Sequence, residues 1–139
     1  MTTAKATRID PRVPPGPSRH PITVGENFRM GEAGILTPDT RCELIEGEIV
    51  DMAPIGPPHA RKTNRLADRL SAAVRGKAIV SARNPVVLDD LSAPQPDLAL
   101  LRCRDDYYAQ VHPGPSDVLL LIEVADTSLA HDRDTKLPL

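Results

Sequence analysis

Apolar positions along this chain change their spacing several times, and each change predicts an element. Cys42-Glu43-Leu44-Ile45 and Glu48-Ile49-Val50-Asp51-Met52 are two short runs separated by Glu46-Gly47. Two such runs joined by a two-residue turn, with Gly supplying positive φ, predict a β-hairpin. From 59 to 75 the period lengthens to 3.6. Thr63, Leu66, Ala67, Leu70, Ala73 and Val74 then share one stripe, which predicts a helix laid on a sheet. Gly76 caps its end. Four more runs, 78–82, 85–88, 97–101 and 118–124, read as strands. The last is apolar almost throughout (Val118-Leu119-Leu120-Leu121-Ile122-Glu123-Val124), and such runs are usually buried on both faces. We therefore expect it at the centre of the sheet.

Polar residues and prolines punctuate the rest. Thr23-Val24-Gly25-Glu26 fits a capping box and predicts a short helix through about residue 33, ended by Gly34 and Pro38. Residues 1–21 carry Pro11, Pro14, Pro15, Pro17 and Pro21 with few apolar positions, so they read as a disordered, Pro-rich tail. Residues 22–139 form the expected domain. Thr127 or Ser128 would cap a last helix from Leu129.

Length and composition narrow the possibilities. At 139 residues one domain is expected, and with only Phe28, Tyr107 and Tyr108 as aromatics, aliphatic side chains must fill the core. A formal charge of −2 excludes whole-molecule electrostatic attraction to nucleic acid, so phosphate binding needs a local patch or a metal. Cys42 and Cys103 form no CxxC, and His20, His59, His112 and His131 have no HExxH spacing. No stretch is apolar enough to span a membrane, and the first residues lack a secretory apolar region, so the expected address is the cytoplasm.

The candidate chemistry lies in two acids. Asp97 opens one apolar run and Glu123 closes another. If the two runs pair antiparallel, these ends meet at one edge. Opposed Cβ atoms in such a ladder lie about 5 Å apart, where like charges repel. Either the acids reach solvent separately, or a divalent cation joins them. Magnesium favours one or two carboxylates with carbonyls and waters. Lys136 would supply a cation beside the nucleophile, or else form a surface pair with Asp132 at i, i+4. Arg61, Arg65 and Arg69 recur every four residues on another face of the long helix. They read either as a solvated face or as a track for a phosphate backbone. Glu43 is either an exposed strand residue or a further ligand. His59 caps or packs at the helix start, or acts as a proton shuttle.

Several segments together resemble one family. These are Arg41-Cys42-Glu43-Leu44-Ile45-Glu46-Gly47-Glu48-Ile49-Val50, Gly56-Pro57-Pro58-His59, Asn84-Pro85-Val86-Val87-Leu88, Gln95-Pro96-Asp97-Leu98-Ala99 and Glu123-Val124-Ala125-Asp126-Thr127-Ser128, running on to Asp132 and Lys136. In this order they resemble the bacterial restriction-endonuclease-like family of the PD-(D/E)XK nuclease superfamily. The resemblance spans about residues 22–139. It implies a mixed α/β fold, with a central mixed sheet flanked by helices. It also implies roles: Asp97 and Glu123 as metal-binding catalytic acids, Lys136 as a catalytic lysine displaced to the following helix, and Glu43 as a third acid at the metal. The implied cofactor is Mg²⁺, with Mn²⁺ as a substitute, and the implied partner is DNA. Restriction-type nucleases often act as homodimers. Cys42 departs from the aromatic residue common at its position. Relatives continue beyond the position of Leu139, which leads us to expect a C-terminally truncated domain. The resulting expectation is a metal-dependent endonuclease that hydrolyses DNA. The alternatives are a catalytically inactive remnant that binds DNA or another protein, and a metal-binding regulator.

Overall fold

The computed structural model describes residues 16–125. The expected last helix, with Asp132 and Lys136, and the first fifteen residues of the expected tail lie outside the described residues. Residues 16–20 are exposed and without regular structure. The domain is mixed α/β, with two antiparallel sheets and two α-helices among the described residues.

The first sheet is the expected hairpin. Strands β1 (Cys42–Ile45) and β2 (Glu48–Asp51) pair antiparallel, with Leu44 opposite Ile49. Glu46 and Gly47 both have positive φ, 49° and 79°, as a type I′ turn requires. The turn is closely packed. The Gly47 N–H donates to the Leu91 carbonyl, and its own carbonyl accepts from Ile22 N–H. A Cβ on Gly47 would stand 2.6 Å from the Pro21 Cβ. Helix α1 (Val24–Glu32) begins at Thr23, which caps the Glu26 N–H while the Glu26 carboxylate accepts from the Thr23 N–H. Val24 and Phe28, one turn apart, pack with Leu44, Ile49, Val87 and Ala93 into one core.

The second sheet holds β3 (Ile79–Ala82), β4 (Leu98–Leu101) and β5 (Val118–Ile122), in that order. Helix α2 (Pro57–Ala73) packs against β3. It starts on two prolines, tolerated there because the first helical N–H groups have no partner in the helix. Gly76, with φ 75°, follows its end. Thr63 is buried and Leu66, Ala67, Leu70 and Val74 are half-buried, but Ala73 is exposed, unlike the expected stripe.

Two expectations fail. Residues 85–88 form no strand. They turn back on 92–94 instead, through Val86 N–H to the Pro94 carbonyl and Leu88 N–H to the Ser92 carbonyl. Pro85 has no N–H to add to a ladder, so the run stays a loop arm. Second, the run at 118–124 is not central. Strand β4 holds the middle, with Leu98, Ala99 and Leu101 almost wholly buried, while Leu119, Leu120 and Leu121 on β5 stay 45–48% exposed among the described residues. Apolar run length reports hydrophobicity, not the number of neighbours. Here the strand with a small residue, Ala99, fits between two others.

Candidate functional site

The two sheets meet through the segment that carries Asp97. Ala93 bridges to Leu44, so β1 runs beside the approach to β4. In Pro94-Gln95-Pro96 only Gln95 has a backbone N–H, and this donor is directed to the Glu43 carboxylate at 2.9 Å. The Gln95 side-chain amide donates to the Cys42 carbonyl. Glu43 is only 3% exposed, so its charge is held in the joint between the sheets rather than on an outer strand face. A buried carboxylate needs such partners to remain ionised. Burial, followed by the charges of Asp51 and Glu43, pushes the neighbouring Cys42 thiol upward.

Asp97 stands one residue before β4, and Glu123 one residue after β5. The ladder pairs Leu98 with Ile122 and Ala99 with Leu121, and its irregularity lies at the far end, beyond Leu100. One step outward from Leu98 and Ile122, the same register sets Asp97 opposite Glu123. The Asp97 carboxylate is bonded at both oxygens. Oδ1 lies 2.9 Å from His59 Nε2, and Oδ2 accepts the Val124 N–H at 2.8 Å. The His59 and Asp97 side chains are 16% and 13% exposed. An ionised carboxylate only accepts, so the His59 tautomer that bonds it carries its proton on Nε2. His59 lies in the first turn of α2, where Thr63 Oγ1 donates back to its carbonyl. The contact therefore fixes the start of α2 to the acid end of the sheet.

The ladder thus ends with Asp97 and Glu123 as the next residue on each strand beyond Leu98 and Ile122, and Glu43 lies on the adjoining hairpin against Gln95, two residues before Asp97. Among the described residues, no three His, Cys, Asp or Glu side chains converge closely enough to hold a metal by themselves. The donor chemistry still fits a hard cation. Each carboxylate oxygen has two lone pairs, and each Asp97 oxygen gives one to its hydrogen bond. Magnesium usually keeps several waters and takes only one or two carboxylates. Arg61, Arg65 and Arg69 all lie exposed on α2, which leads away from His59. The His59 contact is sharper than packing or capping. Its signal in the sequence was the position of His59 at the helix start, but nothing there named Asp97 as the partner.

Among the described residues, helices and two antiparallel sheets make a mixed α/β domain, consistent with a restriction-endonuclease-like fold. The chain belongs to the Uma2 family, described as "Putative restriction endonuclease", which it matches over residues 26–139. No curated protein matches it. Among the described residues no helix is long and apolar enough to cross a membrane.

Proposed function

We propose that this protein is a divalent-metal-dependent endonuclease that hydrolyses phosphodiester bonds of DNA. The observation that supports the reading is the antiparallel register of Leu98 with Ile122, which, continued one step, would set Asp97 opposite Glu123, in a chain of a restriction-endonuclease family. Asp97 and Glu123 would hold Mg²⁺, or Mn²⁺ in its place, with Glu43 as the third acid nearby. A bound cation of this kind neutralises charge on the scissile phosphate and lowers the pKa of a water. The chain's own groups do the rest. His59 and the Val124 N–H fix the plane of the Asp97 carboxylate, so its remaining lone pairs keep one direction. Lys136 steadies the negative charge that grows on the phosphoryl oxygens as water oxygen bonds to phosphorus and the ester oxygen leaves. Arg61, Arg65 and Arg69 hold the DNA backbone, which positions the duplex without reading its sequence. The site works in the cytoplasm, and a homodimer would let two such sites cut both strands.

A second reading has its own observation. Both Asp97 oxygens are already engaged within the protein, so the acid also serves as a clip between α2 and β5. In a catalytically inactive DNA-binding module that clip would be its whole role. Supercoiled plasmid with Mg²⁺ or Mn²⁺ separates the two. The nuclease reading expects relaxation by the natural chain and none by Asp97→Asn or Glu123→Gln, with Lys136→Ala strongly slowed. Cleavage that survives in the first two variants overturns the assigned site. No cleavage by the natural chain, with salt-sensitive DNA binding retained, supports the module.

A further inference from the structure

On the other side of Asp97 from Glu123 stands an arginine with two separate anomalies. The β3–β4 ladder ends at Ala82 opposite Leu98, and the next step sets Arg83 opposite Asp97. The Arg83 N–H confirms the placement, since it is shared between the Pro96 and Asp97 carbonyls at 3.1 and 3.2 Å. Its backbone has φ 55°, the left-handed region that favours glycine. The residue is half-buried, and its Nε is a buried donor with no hydrogen-bond partner among the described residues. Among the described residues no carboxylate forms an ion pair with its guanidinium.

Each anomaly works against folding. A left-handed, non-glycine residue is strained, and a buried N–H without an acceptor loses its water for nothing. Glycine would remove both. The cation therefore needs an external reason, and the reason is an anion. We propose that Arg83 is a phosphate-binding residue of this site, which takes a backbone phosphodiester of DNA beside the Asp97–Glu123 pair. The inference rests on the nuclease reading for its ligand. The guanidinium suits the task because it stays charged and presents several N–H donors in one plane, matched to phosphate oxygens. It sits between β3 and β4, whereas the arginines of α2 are exposed on a helix. It would thus grip the phosphate nearest the acids, and the helix arginines would hold those further along.

The test is binding of a short fluorescent DNA duplex in EDTA, across a salt series, with the full chain. Removing metal separates this test from cleavage. Arg83→Gln and Arg83→Gly are expected to bind about tenfold more weakly at low salt, with the salt slope reduced by about one. Arg83→Lys should keep the slope, because the charge remains, and bind between the two. Arg83→Gly should melt at the natural temperature or above it, because glycine accepts φ 55° without strain. Weaker DNA binding in a protein at least as stable is a pairing that a purely structural arginine does not give. Binding by Arg83→Gln and Arg83→Gly equal to that of the natural chain overturns the proposal. So does unfolding of both variants, or a natural chain that binds no DNA in EDTA. The nuclease reading stands or falls separately, on plasmid cleavage by Asp97→Asn.

Discussion

The Glu46-Gly47 turn and the bend at Arg83 both use left-handed backbone, yet their surroundings differ. At the hairpin, the Glu46 N–H reaches Ser92 Oγ, the Gly47 N–H reaches Leu91, and Pro21 packs against the Gly47 Cα. There the left-handed φ of Glu46, 49°, is offset by hydrogen bonds from both turn residues. At Arg83 the same kind of backbone carries a bulky cation whose Nε has no acceptor among the described residues. One region is built for stability. The other tolerates strain beside two acids and a His–Asp contact. The difference teaches where this fold gives up stability, and strain of that kind gathers at functional sites.

The largest expected effect lies at the strained end. Asp97→Asn should lower plasmid cleavage by at least about a hundredfold, because it removes a carboxylate from the proposed cation site and weakens the His59 contact. Cleavage by the variant near the natural rate would break the contrast between the two regions. At the stable end, Leu44→Ala should cost about 2–5 kcal/mol in urea unfolding, since Leu44 is fully buried in the core that the hairpin shares with α1. Leu120→Ala, at a position 48% exposed, should cost far less in the same measurement. Gly47→Ala should cost about 1–3 kcal/mol, because the new Cβ meets Pro21 and φ 79° is unfavourable to alanine. That is the opposite sign to Arg83→Gly, and measuring both sharpens the comparison.

The smallest effect concerns the cap of α1. Thr23→Ala should cost about 1 kcal/mol. Hydrogen bonds from the Thr23 backbone and side chain hold the Glu26 carboxyl below the ordinary carboxylate range. A depressed acid stabilises the fold above its unfolded pKa. That contribution fades as the pH falls through the lower, folded value. Acid titration of stability should therefore be shallower in Glu26→Gln than in the natural chain.

Local signals were the most legible part of this sequence. Thr23 and Glu26 at N-cap and N3 and the Glu46-Gly47 pair each specify a short-range geometry, and each is found as read. The antiparallel pairing of the two apolar runs, Leu98 against Ile122, was legible as an arrangement that the sequence allows. What escaped depends on neighbours distant in sequence. The exposure of Leu119, Leu120 and Leu121 is decided by which strands pair with β4 on each side, and three consecutive leucines carry no record of that. The segment 85–88 departs from a strand because its N–H groups alternate between two loop partners, Val86 and Leu88 to Pro94 and Ser92 and Val87 to Pro113. Arg83 escaped because its importance comes from its turn and its register position, and Asn84-Pro85 was the sole local sign of a bend.

Binding of Mn²⁺, followed by electron paramagnetic resonance, tests the shared-cation claim without any need for cleavage. The natural chain should hold one Mn²⁺ that Mg²⁺ displaces, and Asp97→Asn and Glu123→Gln should each weaken it by at least about tenfold. Equal Mn²⁺ affinity in all three proteins would contradict the pairing of these acids on one ion.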